Sequence, residues 1–240
     1  MTVRARRVAF GQTVLFEDLE LALPGGSWTC LLGPSGVGKT TLLRMLAGLI
    51  PHGRDLSVAC SDGAPLEGRM AWMGQQDLLL PWLDVAENVL LGSRLRGERP
   101  PRERAAELLR AVGLGGNAAD RPSALSGGMR QRAALVRTLV EDRPVVLMDE
   151  PFSAVDVVTR HELQTLAGRL LAGRTVLLVT HDPLEALRLG DRILVLAGRP
   201  VRLHEAPVPP GTRPRDVTDP RLLAEQAELL GLLAAAREAA

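Results

Sequence analysis

The sequence predicts an α/β fold in which helices cover a largely parallel sheet, and three features carry that prediction. Gly33-Pro34-Ser35-Gly36-Val37-Gly38-Lys39-Thr40 matches G-x-x-x-x-G-K-[ST] in full, with a strand pattern before it and a helix pattern after it. Val145 to Met148 is an unbroken apolar run ending in Asp149 and Glu150, as expected of a strand buried on both faces of a parallel sheet. From Pro144 to about Leu196 such runs alternate with helical stretches, the order of strand-helix units.

Taken in order, residues 1 to about 26 alternate enough for short strands, expected to form an antiparallel sheet flanking the phosphate loop. Ser27 to Leu32 predicts a strand and Thr41 to Gly48 a helix that stops near its glycine. Past Pro51 the pattern gives short strands up to about Gln75. Between Leu83 and Arg143 it turns helical: Asp84 opens one helix with Val85, Val89 and Leu90, Arg102 to Val112 forms another, and Met129 to Val140 a third. Pro207 to Pro214 should be extended. From Pro220 onward Leu222, Leu223, Leu229, Leu230, Leu232 and Leu233 predict a helix that, read by itself, simply packs on the core. We expect one domain over 1–240, with a core from 1–82 and 144–200, an inserted helical subdomain at 83–143 and a tail at 201–240.

The 240 residues, 25.8 kDa, can bury a sizeable core, and 46% hydrophobic with 24% charged residues is ordinary globular usage. With 29 basic against 28 acidic side chains the net charge is +1, so no basic excess marks a nucleic-acid binder. Cys30 and Cys60 exclude a disulfide scaffold and lack metal-ligand spacing; both are expected to be buried small hydrophobes in a reducing compartment. The longest uncharged stretch, Leu21 to Gly38, is interrupted by Pro24, Gly25, Gly26, Gly33, Pro34 and Gly36, so it is no membrane-spanning helix. Arg4, Arg6 and Arg7 precede no apolar block of signal-peptide type, and a cytoplasmic chain is expected. Of the 29 basic residues 28 are arginine, and Lys39 is the single lysine. An ammonium is a compact charge on a thin stem that can reach between phosphates, where a planar guanidinium cannot, so Lys39 is a candidate functional residue before any motif is considered.

In the phosphate loop, glycines let backbone N–H groups turn toward a phosphate, Lys39 would reach the β- and γ-phosphates, Thr40 would offer its hydroxyl to Mg²⁺, and the helix N-terminus adds its positive end. Asp149 should emerge at the carboxyl end of its strand, where it can hold Mg²⁺. Glu150 is placed to orient and deprotonate an attacking water. Read apart from the phosphate loop, these are two solvated acids at a strand end.

Leu125-Ser126-Gly127-Gly128-Met129-Arg130-Gln131-Arg132 resembles the signature motif of the ABC ATPases. In the same order and spacing, Gln75 resembles the Q-loop glutamine, Ser153-Ala154-Val155-Asp156 the D-loop, His181 the switch histidine, and Phe10 the aromatic that stacks on adenine. Alone, Ser126 would be a helix N-cap, Gln75 a polar strand end, His181 a satisfied histidine and Phe10 a core aromatic. The resemblance covers essentially the whole chain and departs from the pattern in small ways, as at Gly74, where a bulky apolar residue commonly stands. It implies a P-loop NTPase (RecA-like) core of ABC ATPase type, with an N-terminal antiparallel β subdomain and an inserted α-helical subdomain.

The same resemblance implies that ATP and Mg²⁺ are bound by Gly33 to Thr41 together with Gln75 and Asp149, and that Glu150, His181 and Gln75 serve hydrolysis. It implies a head-to-tail homodimer in which Ser126, Gly127, Gly128, Gln131 and Asp156 reach the ATP of the opposite subunit. Leu80-Pro81-Trp82 and the run RPRDVTDPRLLAEQAELLGLL resemble importers of nitrate, sulfonates and taurine, and the related importers of thiamine-precursor pyrimidines. That implies a peripheral subunit at the cytoplasmic face of the inner membrane, touching transmembrane permease subunits through Leu78, Leu79, Leu80, Pro81 and Trp82. A periplasmic or extracellular solute-binding protein would act indirectly, with no nucleic acid involved. The alternative is a soluble ABC ATPase in a non-transport assembly or nucleic-acid process.

Overall fold

The computed structural model describes residues 1–10, 12–51 and 55–238, apart from the side chain of Phe10. Two strands open the chain, β1 (Thr2–Phe10) and β2 (Thr13–Ala22), antiparallel from Thr2↔Ala22 to Phe10↔Thr13. They are longer than the short strands expected. The burial alternation of β2 breaks between Phe16 and Leu19, where Asp18 stands at φ +51°, yet the pairing runs on in one register from Ala5↔Leu19 to Val8↔Phe16 and slips only between Val8 and Ala9, a β-bulge. A third strand, β4 (Leu56–Ala59), pairs antiparallel with β1 and completes a sheet of order β2-β1-β4.

The second sheet has six strands: β3 (Trp28–Leu32), β5 (Met70–Met73), β6 (Val145–Asp149), β7 (Thr175–Val179), β8 (Arg192–Ala197) and β9 (Arg202–Ala206). Their order is β5-β6-β7-β3-β8-β9, parallel throughout except for the edge strand β9. Because β3, β5, β6 and β7 run the same way, the segments that follow them emerge at one edge, the usual ligand edge of a parallel sheet.

Side-chain alternation along these strands feeds two apolar layers. Leu31, Val145 and Leu147 face the first sheet and α1 (Lys39–Leu46), while Trp28, Cys30, Val146 and Met148 face the remaining helices. Those helices are α2 (Val85–Val89), α3 (Leu91–Leu95), α4 (Arg102–Ala111), α5 (Gly127–Val140), α6 (Val157–Leu170), α7 (Pro183–Leu189) and α8 (Pro220–Glu238). Asp84 and Glu87 form a reciprocal capping box at the start of α2, which is why the helical segment begins there. Helices α1 and α5 each start two residues before the apolar period suggested, because Gly38 and Ser126 are the caps. Cys30 is buried as expected, and burial pushes its thiol upward. Cys60 is half-exposed instead: it lies just past β4, where the chain turns at Cys60–Gly63.

The proline-rich tail is a strap. Arg213 stacks over the Trp28 ring at 5.5 Å, pairs with Asp191 at 3.1 Å and donates to Gly26 O at 3.0 Å. Arg215 donates to Leu187 O and Gly190 O at 2.8 and 2.7 Å. The strap delivers α8 to α7 and β8, where Leu222, Leu229 and Ala236, seven residues apart, are buried. Among the described residues, no helix is long and apolar enough to cross a membrane.

Candidate functional site

The loop after β3 is shaped by glycines that no other residue could replace in place. A Cβ on Gly33 would lie 2.6 Å from Leu196 O, and one on Gly38, at φ +107°, would lie 2.9 Å from a Leu15 methyl. Lys39, the first residue of α1, folds back across this loop, its Nζ donating to Gly33 O at 2.6 Å and Pro34 O at 2.9 Å. Burial lowers its affinity for its proton, opposed by the nearby Glu150 and Asp149 carboxylates. Ser35, Gly36, Gly38, Lys39, Thr40 and Thr41 line a cleft of about 490 Å³. Gly33, Pro34 and Val37 complete the loop without lining it; the Val37 side chain is buried in the core, leaving its backbone as the part available to a ligand.

The other acidic and polar groups meet at the same cleft. Asp149 ends β6 almost fully buried at 1% exposure, its Oδ1 accepting from Thr40 Oγ1 at 3.2 Å. Its Oδ2 is buried with no hydrogen-bond partner. Burial, with Glu150 beside it, raises its carboxyl above the ordinary range, and the Thr40 hydroxyl opposes that. Glu150 leaves the strand at φ +48°, a left-handed backbone imposed by its N–H on Val179 O and by Ser153, whose N–H and hydroxyl both donate to its carbonyl. Glu150 Oε2 accepts from Gln75 Nε2 at 3.4 Å and lies 3.2 Å from His181 Nδ1. The residues following β5 and β7 thus converge on the carboxylate that follows β6. Gly74 has a local reason: a Cβ there would lie 2.5 Å from the tip of the Trp72 ring, so the indole takes the space that a bulky residue would use.

The signature segment does not line this cleft. Ser126 and Gly127 are exposed, Ser126 capping α5 by accepting from Met129 N at 3.2 Å. The Cβ position of Gly128 lies 3.4 Å from Val155, so the signature packs on the Ser153–Asp156 turn of its own chain. Asp156 is exposed and caps α6, accepting from Thr159 N at 3.0 Å. Gln131 is corrected: one turn into α5 it faces inward, 3% exposed, and donates to Pro151 O at 3.0 Å, so it is not free to reach another chain.

In the apolar loop after Gln75, Leu78 and Trp82 are 51% and 65% exposed and Pro81 is exposed. Leu79 is corrected, being buried in the helical layer, and Leu80 is half-buried. The cause is Asn88, fully buried, which donates to Leu80 O and Leu83 O and accepts from Leu80 N, drawing the loop down onto α2. The expectation for Phe10 concerns a side chain outside the described residues.

Two residues escaped the motif reading. Thr13 and Leu15, at the start of β2, line the cleft opposite the phosphate loop. No motif marks them; the signal lay in strand pairing, which folds the first sheet over the loop.

The comparisons with known proteins agree with this geometry. The family profile described as ABC transporter matches residues 16–153. The chain is 48% identical over 236 residues to an aliphatic sulfonates import ATP-binding protein of Rhodococcus jostii, covering 94% of this chain and 90% of that protein. It is 43% identical over 228 residues to an uncharacterized ABC transporter ATP-binding protein of Haemophilus influenzae, covering 93% and 94%. Among solved structures it is similar to a dimeric post-hydrolysis state of an ATP-binding cassette bound to ADP and Pi, with TM-score 0.70, 29% identity, and 81% and 94% of the two chains covered.

Proposed function

This chain belongs to the ABC transporter ATP-binding proteins, which are ATPases, and we propose from that premise that it powers import of an aliphatic sulfonate through a membrane permease. The observation that carries the hydrolytic part is the convergence of Gln75 and His181 on Glu150 at the mouth of the phosphate-loop cleft. Sulfonate as the solute is supported by several relatives at 42–48% identity that are aliphatic sulfonates import ATP-binding proteins and by the likeness of the Leu80-Pro81-Trp82 and tail segments to that importer group.

ATP phosphates are cradled by the Ser35–Thr41 backbone and the start of α1, with Lys39 exchanging its loop carbonyls for phosphate oxygens. Thr40, Asp149 and Gln75 fit Mg²⁺: all offer oxygen donors, and the buried Asp149 Oδ2 has no other partner. When bound, the ion neutralises phosphate charge. Glu150 orients the attacking water and takes its proton, while His181 steadies the γ-phosphate and Gln75 borders both.

The Ser126–Gly128 cap, with Ser126 and Gly127 exposed, and the exposed Asp156 serve the ATP of a second copy, so each site is complete only in a head-to-tail dimer. Loss of the γ-phosphate removes what both halves grip, and the dimer opens. Leu78, Pro81 and Trp82 receive a short cytoplasmic helix of the permease, which places the chain at the inner face of the membrane, with a solute-binding protein on the far side. The test is uptake of a labelled alkanesulfonate by cells lacking this chain. Complementation by the wild type but not by a Lys39→Met variant is expected; equal complementation by both, or uptake that never depended on the chain, would overturn the reading.

A further inference from the structure

The loop that carries Leu78, Pro81 and Trp82 follows β5 of the larger sheet, yet its hydrogen bonds go to the helical layer. Asn88 of α2 holds Leu80, and α5 holds the residues before it. Leu78 stands at φ +48°, a left-handed backbone with no glycine to ease it. Arg137 of α5 fixes that bend: its guanidinium donates to Leu78 O at 2.8 Å and, through the other terminal nitrogen, to Asp77 O. Two neighbouring carbonyls are thus gripped by one planar fork, and the Leu78 side chain is left pointing to solvent. The Asp77 carboxylate works in both directions. Its Oδ1 accepts from Leu79 N and its Oδ2 from Arg130 Nε, both at 3.1 Å. Arg130 donates in turn to Leu125 O at 2.9 Å, and Leu125 immediately precedes Ser126, the cap of α5. Arg130 and Arg137 lie two turns apart on one face of that helix. A row of bonds therefore runs from Leu78 through Asp77 and Arg130 to the signature cap, and the chemistry above uses neither arginine.

We infer that Arg137 is a positioning residue for transport: it seats Leu78 on the signature helix, so that displacement of Leu78 by the permease passes through Asp77 and Arg130 to the Ser126–Gly128 cap. This rests on the roles proposed above for Leu78 and for the cap. A loop held only by its own strand would yield under the permease without moving the cap. Here the loop is bonded at two points to α5, whose 14 residues pack through Ala133, Ala134, Val136 and Val140 into the helical core and move as one body. The phosphate-loop cleft is lined by other residues, and the cap keeps its bonds from Arg130 and Met129 N when Arg137 is changed. Hydrolysis by the chain without its permease is therefore independent of Arg137, while uptake depends on it.

The experiment compares wild type, Arg137→Met and Arg130→Met in two settings. In cells lacking this chain, uptake of the labelled alkanesulfonate is measured at matched chain levels. With the purified full chains, kcat and KM for MgATP, the melting temperature and amide exchange at Leu79 are measured. Arg137→Met should keep kcat, KM and melting temperature close to wild type. Its Leu79 amide should exchange about fivefold faster, and uptake should fall about tenfold. Arg130→Met leaves both bonds of Arg137 in place but cuts the row before the cap; its uptake should fall by a similar factor, and further than its kcat falls. Wild-type uptake in Arg137→Met overturns the inference, and so does a loss of kcat equal to the loss of uptake, which would make Arg137 part of the hydrolytic frame. Wild-type uptake in Arg130→Met overturns the path to the cap. Should Arg137→Met fail to fold, Arg130→Met decides alone: uptake and kcat falling together, or neither falling, overturns the inference. Failure of the wild type itself to restore uptake discards the import reading, and the inference with it.

Discussion

Lys39 is the chain's single lysine, and its ammonium is held by two carbonyls of its own loop at the floor of the cleft. Lysine and arginine differ in shape more than in charge, so Lys39→Arg should abolish hydrolysis by about a hundredfold despite keeping the charge. ATPase assays of that variant, beside a thermal melt showing an intact fold, check this; near-normal activity would refute the argument from lysine's uniqueness. Gly74 gives a second prediction at this scale. Gly74→Ala drives a methyl into the Trp72 ring, an overpacking expected to cost about 1–3 kcal/mol. Trp72→Leu in the same chain should recover most of it, measured as non-additivity in urea unfolding. At the residue scale the motif residues were legible because phosphate chemistry admits few residue types. Thr13 and Leu15 were not, because they reach the cleft through strand pairing that leaves no local pattern.

Elements were legible where one force dominated. The uniformly buried strands β3 and β6 and the nearly uniform β7 announce themselves as apolar runs, and α2 through its capping box. The first two strands are longer than the alternation of residues 1 to about 26 suggests; that alternation breaks at Asp18, whose left-handed backbone angle cannot be read from composition. The inward turn of Leu79 and Gln131 depends on Asn88 and Pro151, partners that sequence spacing does not reveal. The tail helix shows where propensity and packing part. Its leucines suggest a broad apolar face, yet Leu222 and Leu229 are buried while Leu223 and Leu230 are about half exposed. Leu229→Ala should therefore cost about 2–5 kcal/mol, and Leu230→Ala less than about 1 kcal/mol, by chemical denaturation. Equal losses would mean that α8 does not seat on α7 and β8 by this face.

At the scale of the molecule, two sheets and a helical layer bring four segments of distant sequence to one edge. Gln75, Asp149, Glu150 and His181 meet the phosphate loop there because β5, β6, β7 and β3 are parallel neighbours. The signature cap is exposed and lies outside that cleft in its own chain. That separation leads to the central claim, that a second copy completes each ATP site. The direct measurement is the mass of Glu150→Gln in solution, by light scattering, without nucleotide and with saturating MgATP. The account predicts a monomer that becomes a dimer on addition of MgATP, and reverts when Ser126→Arg is added to block the cap. A Glu150→Gln chain that binds MgATP and remains monomeric would contradict it.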